Sequence, residues 1–109
     1  MCTVSYCPTK EGWLLTSSRD VKLSRKRAIA PSHQTIHNIQ LLFPKDGQAG
    51  GTWIGSNTIG TTICLLNGAL KKHISKPPYR LSRGKVVLDL LSHLEPNLLI
   101  QQYLSLIHI

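Results

Sequence analysis

The sequence predicts an α+β domain in which an antiparallel sheet is followed by a helix. Two observations predict it. Between residues 3 and 66, short runs rich in β-branched, aromatic and aliphatic residues recur, most of them closed by Gly, Pro or Asn. Beyond Ser82 the apolar positions change to helical spacing, with Val86, Val87, Leu90, Leu91 and Leu94 on one face. Strands first and a helix afterwards describe a segregated α+β arrangement rather than a parallel α/β one.

Taken in order, Thr3 to Cys7 reads as a first strand ended by Pro8. A turn at Lys10-Glu11-Gly12 leads to a second strand from Trp13 to Ser17, so the chain opens with a hairpin. Ser18 to Arg27 is polar and basic and reads as a loop that Ala30-Pro31 closes. A third strand lies within Ile36 to Phe43 and stops at Pro44; Lys45 to Gly51 is a loop carrying Asp46-Gly47. Thr52 to Ser56 is a short strand, and Thr61 to Leu66 an apolar buried one ended by Asn67-Gly68. Lys76-Pro77-Pro78 excludes regular structure. Ser82 is suited to cap the helix, which Pro96 ends. The domain thus covers residues 1–97. The apolar tail 98–109 is read apart from it, as a short strand or as foreign sequence. Its end, Leu104-Ser105-Leu106-Ile107-His108-Ile109, resembles a translated sequencing-adapter read-through within the last seven residues, so no function is read from His108.

Composition narrows the function classes. Hydrophobic residues make up 41% and charged residues 17% of the 109, which is globular and not disordered composition. The net charge is +8. The basic residues gather at Lys22 to Arg27 and again from Lys71 to Lys85. Neither group has interleaved aromatics for base stacking, so nucleic acid is not expected as a partner. No apolar stretch reaches the length of a membrane span, and the start lacks a basic segment followed by an apolar run. The three cysteines, Cys2, Cys7 and Cys64, have no zinc-finger or redox spacing, so free thiols in a reducing, cytoplasmic setting are expected. His33 and His37 stand four apart without a third ligand nearby. No metal and no cofactor are expected.

Cys2 is the sharpest chemical feature. A small second residue lets an aminopeptidase remove Met1, which places a thiol and a free α-amine on one residue. An α-amine has a pKa of about 8, so it can accept a thiol proton at neutral pH. The plain alternative is a small residue in a strand. Arg19-Asp20 follows the second strand; an Arg beside a thiol favours its thiolate, and a carboxylate could orient the α-amine. The alternative there is a solvated loop ion pair. In Gly50-Gly51-Thr52-Trp53, two glycines before a Trp allow close backbone approach and exposed N–H groups, or simply a tight turn with Trp53 in the core. Asn67 at a strand end could donate to an oxyanion or form an Asn-Gly turn.

Five groups of residues, taken in order, resemble one family. They are Met1-Cys2-Thr3-Val4 with Leu15-Thr16-Ser17-Ser18-Arg19-Asp20 and Ala30-Pro31; Leu42-Phe43-Pro44-Lys45-Asp46; Ala49-Gly50-Gly51-Thr52-Trp53-Ile54-Gly55; Cys64-Leu65-Leu66-Asn67-Gly68-Ala69; and Tyr79-Arg80-Leu81-Ser82-Arg83-Gly84-Lys85. Over about residues 1–95 the chain resembles the NRDE family, also described as transport and Golgi organisation 2-like. The motif that gives the family its name reads Ser18-Arg19-Asp20-Val21 here, so its central pair alone matches. The resemblance implies the N-terminal part of a four-layer αββα sandwich of the N-terminal-nucleophile hydrolase type. It implies a fragment of a longer protein, whose further strands and helices would cover an apolar sheet face and helix face. It also implies a hydrolase of non-peptide amide bonds. Cys2 would be the nucleophile and its α-amine the base, with Arg19 and Asp20 positioning them, Asn67 stabilising the oxyanion, and Gly50, Gly51, Thr52 and Trp53 binding substrate. The partner would be a small-molecule amide. The alternative on the same fold is a non-catalytic trafficking protein or carrier of an apolar ligand such as haem or a lipid.

Overall fold

A computed structural model of the chain describes residues 2–66 and 82–106, with side chains up to residue 103. Six strands and two helices follow in order: β1 (Thr3–Thr9), β2 (Gly12–Ser18), β3 (Ile29–Ile36), β4 (Ile39–Lys45), β5 (Ile54–Asn57), β6 (Thr62–Cys64), α1 (Arg83–Leu91) and α2 (Pro96–Leu106). All strand pairings are antiparallel. β1 and β2 form a two-stranded sheet, and β3-β4-β5-β6 a four-stranded one. The architecture is mixed α+β, as the sequence predicts.

The opening hairpin pairs Thr3 with Ser18 through to Thr9 with Gly12. β1 runs on through Pro8 to Thr9, beyond the end that Pro8 suggests. A two-stranded ribbon leaves one edge of each strand unpaired, and there a proline removes no ladder hydrogen bond. Opposed residues share a face, so Tyr6 with Leu15 and Pro8 with Trp13 make an apolar side. The Tyr6 and Trp13 rings lie 6.1 Å apart.

The larger sheet differs most from expectation at β3. The strand expected within Ile36 to Phe43 is β4, which runs on through Pro44 to Lys45, and a turn precedes it. His37 and Asn38 adopt positive φ values of 50° and 64°, the backbone of a two-residue hairpin turn, and β4 starts at Ile39. β3 lies before the turn, through Ala30-Pro31, where the sequence suggests a stop. It is an edge strand, mostly exposed, and its register shifts between Ile29 and Ser32. An edge with a bulge tolerates proline and needs no apolar alternation, the signal on which a strand is read.

β4 supplies the centre of the core. Ile39, Leu41 and Phe43 are buried and alternate with exposed Gln40 and Leu42. Against this face α1 lays Val87 and Leu91, and Ile36, Ile63, Leu65 and Leu88 pack around the cluster. Gly55 permits the contact: a Cβ there would stand 2.7 Å from Leu91 Cδ1. The Ser82 side chain caps α1 by accepting from the Lys85 N–H at 3.3 Å. Asn57 holds the other end. Its Nδ2 donates to Leu91 O at 2.8 Å, while its Oδ1 accepts from the Ile59 and Thr61 N–H groups of the β5–β6 turn.

α1 stops at Leu91, so Leu94 is not part of its apolar face and stands exposed. Pro96 does more than end a helix. It opens α2 at the first helical position, where its missing N–H costs nothing. Residues 96–106 are therefore helical, not a strand. The Tyr103 hydroxyl donates to the Asp89 carboxylate and ties α2 to α1. Among the described residues no helix is long and apolar enough to cross a membrane.

Candidate functional site

The loop after β4 turns on Asp46. Its backbone N–H donates to Gly51 O at 2.7 Å, and its carbonyl accepts from the Gly50 N–H at 3.0 Å. Its Oδ1 accepts from the N–H groups of Gln48 (2.9 Å) and Ala49 (2.7 Å). These bonds close a compact loop on a side chain only 7% exposed. Two guanidinium groups meet the same carboxylate. Arg25 grips it as a fork, Nε to Oδ2 at 3.0 Å and Nη2 to Oδ1 at 3.1 Å. Arg19 donates from Nη2 to Oδ2 at 2.6 Å. The Arg19 guanidinium also lies over the Trp53 ring, 4.0 Å from its centroid, close enough for a cation–π contact. Burial by itself would raise the Asp46 pKa. The hydrogen bonds from Arg25, Ala49, Arg19 and Gln48 outweigh it, and the carboxyl is held well below the usual carboxylate range.

A cavity of about 180 Å³ opens beside this ion cluster. Cys2 and Ser17 reach it from the hairpin, with Arg19 and Arg25 from the loop that follows. Asp46, Gly51, Thr52 and Trp53 form the sheet side, and Leu65, Arg83 and Gly84 close it near the start of α1. Of the residues singled out from sequence, the fold therefore brings together Cys2, Arg19, Gly51, Thr52 and Trp53. Asp20 is exposed and does not line the cavity; the chain's α-ammonium lowers its pKa, first through a hydrogen bond and then through charge. Gly50, at φ 73°, lies behind the wall next to Lys85. Asn67 falls outside the described residues.

The Gly50-Gly51 segment does allow close approach, and the approaching group is the protein's own helix. A Cβ on Gly51 would lie 2.6 Å from the Gly84 backbone. Two of the segment's N–H groups are used internally. Gly50 N–H donates to Asp46 O, and Thr52 N–H donates to Gly84 O at 3.3 Å. The Thr52 hydroxyl is likewise taken, donating to Ile54 O at 2.9 Å. The segment shapes the cavity and presents Trp53.

Asp46, Arg25 and Arg83 line the cavity and were missed by sequence reasoning. For Asp46 a signal was present: in a chain with 13 Lys+Arg and 5 Asp+Glu, an Asp directly after a buried strand is a natural counter-ion. Among the described residues no group of three or more His, Cys, Asp or Glu is placed to hold a metal ion. A second cavity of about 220 Å³ lies between β6, α1 and α2. It is lined by Ile63, Cys64, Val86, Val87, Leu90 and Ile100 among others, and it shares Leu65 and Arg83 with the first.

A family model described as Transport and Golgi organisation 2 matches residues 1–106. The chain belongs to that family. The match runs through the hairpin, the Asp46 loop and both helices, so every described element of the chain falls within it. No curated protein and no solved structure matches the chain.

Proposed function

We propose that this TANGO2 family chain carries the nucleophile side of a cysteine N-terminal-nucleophile hydrolase, part of an αββα sandwich, acting on non-peptide C–N bonds of small amides. The observation that supports it is the convergence of Cys2 and Arg19 on one cavity: they flank the paired residues Thr3 and Ser18 at the open end of the hairpin. After loss of Met1 the α-amine of Cys2 takes the thiol proton, and the thiolate attacks the amide carbonyl. Collapse of the tetrahedral intermediate breaks the C–N bond. The amine leaves with the proton from the α-ammonium, and the acyl group stays as a thioester. Water, deprotonated by the same amine, then releases the acid and restores the thiol. Arg19, fixed by Asp46 and Trp53, offers a preorganised cation in the cavity that Cys2 also lines. Asp20 orients the α-amine, and Asn67 supplies a donor to the oxyanion. The setting is the cytoplasm.

Intact-mass measurement of the full-length protein, with and without a thiol probe, tests the reading. Loss of Met1 and a single fast modification mapped to Cys2 are expected. Retained Met1, or equal reaction at Cys2, Cys7 and Cys64, ends it. The apolar cavity between β6 and the helices supports a second reading, a carrier of an apolar ligand such as haem or a lipid. That reading expects saturable haem binding that survives Cys2→Ala, and no thioester.

A further inference from the structure

The cavity at Cys2 is lined by three guanidinium groups, Arg19, Arg25 and Arg83, and by a single carboxylate, Asp46. That carboxylate is saturated. Its two oxygens accept five hydrogen bonds, three of them from Arg19 and Arg25, against about four lone-pair positions. Arg25 has its fork turned onto Asp46. Arg19 is shared between Asp46 and the face of Trp53. Among the described residues Arg83 has no acidic partner; the ion pairs there join Arg19 and Arg25 to Asp46. Arg83 is half-buried and borders both the polar cavity and the apolar one, a position suited to an aliphatic stem with a charged head. The polar cavity therefore holds more positive charge than its own acidic group neutralises.

We infer that this cavity selects ligands carrying an anionic oxygen group, carboxylate or phosphate, and that Arg83 is the residue that takes it. A planar guanidinium matches either group with paired N–H···O bonds. The inference deepens the hydrolase reading, on which it rests for the role of Cys2, by naming the substrate class: amides with an anionic group near the scissile bond.

The test compares two alkylating agents of nearly the same size, anionic iodoacetate and neutral iodoacetamide, on the full-length protein at low ionic strength. Rates are read at each cysteine by peptide mass mapping. Taking the ratio of the two rates cancels the thiolate population, and exposed Cys7 reports the effect of the net charge of the whole chain. The iodoacetate-to-iodoacetamide ratio is expected to be about tenfold or more higher at Cys2 than at Cys7, to fall as salt is raised, and to drop several-fold in Arg83→Gln. Equal ratios at Cys2 and Cys7 in the unaltered protein, a comparison that requires no variant, overturn the inference. So does a raised ratio that Arg83→Gln leaves intact. Inorganic phosphate and acetate, added as competitors, separate the two sources of the anionic group by which of them slows iodoacetamide at Cys2; slowing by neither overturns it. Fast iodoacetamide labelling at Cys2 without anion preference removes this inference and keeps the nucleophile. Anion preference at a slowly labelled Cys2 does the reverse.

Discussion

The β1–β2 hairpin and the sheet covered by α1 are built on different principles, and the candidate site lies where they meet. On the sheet side, Leu41, Phe43, Val87 and Leu91 are all but closed to solvent, and α1 is fixed at both ends by Ser82 and Asn57. On the hairpin side, Tyr6, Trp13 and Leu14 are about half exposed or more, and no described residue is fully buried. A two-stranded ribbon is marginal in water without packing against something else. One tie is made by Arg19, which leaves the end of β2 to meet Asp46 and Trp53. The scaffold thus holds the Asp46 loop, the hairpin carries Cys2, and one arginine couples them.

The sharpest way to break this comparison is to truncate one apolar side chain in each region. Leu91→Ala removes a fully buried side chain that packs against Gly55 and is expected to cost about 2–5 kcal/mol in urea denaturation. Trp13→Ala, on the exposed face of the hairpin, is expected to cost under about 1 kcal/mol despite removing a larger side chain. Equal losses would mean that the hairpin is as much a part of the core as α1.

How far the sequence foretold each region follows the same division. The alternation in β4 and the helical spacing of Val86, Val87, Leu90 and Leu91 reflect burial on one face, so they stand out in the sequence. β3 is an edge strand that buries almost nothing, and so carries no period to detect. α2 was obscured because Pro96 serves equally to end one helix and begin another. At the site, Cys2, Arg19 and Trp53 were legible as residue types in a spacing. Asp46 was not singled out, because its importance comes from two arginines that approach it across long stretches of chain. Charge pairing of that kind leaves no local pattern.

Asp46→Asn sharpens the comparison next. The substitution keeps the shape and removes the charge between two guanidinium groups, and is expected to cost about 2–4 kcal/mol. Its effect should reach the hairpin: Arg19 is released, and the rate at which iodoacetamide labels Cys2 should change while that of Cys7 does not. Stability lost without any change at Cys2 would confine Asp46 to the scaffold.

The same residue predicts a pH dependence whose sign is fixed. A carboxyl whose folded-state pKa lies below its unfolded value contributes stability above the unfolded pKa, near 4, and loses it as pH falls through the folded value. Stability should therefore be insensitive to Asp46 between pH 5 and 7, roughly, and decline below about pH 4. Asp46→Asn should flatten that acid limb when urea midpoints are compared over the same range. An unaltered acid limb in the variant would assign it to the other carboxylates.

Arg19→Lys is expected to have the smallest effect and to discriminate most finely. Lysine keeps the charge and can still reach Asp46, but it has neither the flat face that lies over Trp53 nor a second row of donors. Loss of the stacked contact should cost about 0.5–1 kcal/mol, close to the limit of a denaturation measurement. Trp53 offers a more direct readout. A guanidinium 4.0 Å from the ring centroid shields the indole, so Arg19→Lys should raise the accessibility of Trp53 to a neutral quencher such as acrylamide, with exposed Trp13 as the internal reference. If Arg19 couples hairpin to scaffold by geometry as well as by charge, Cys2 labelling should shift together with that accessibility. A quenching change with no change at Cys2 would leave charge alone as the coupling, and the Asp46 pair would then account for all of it.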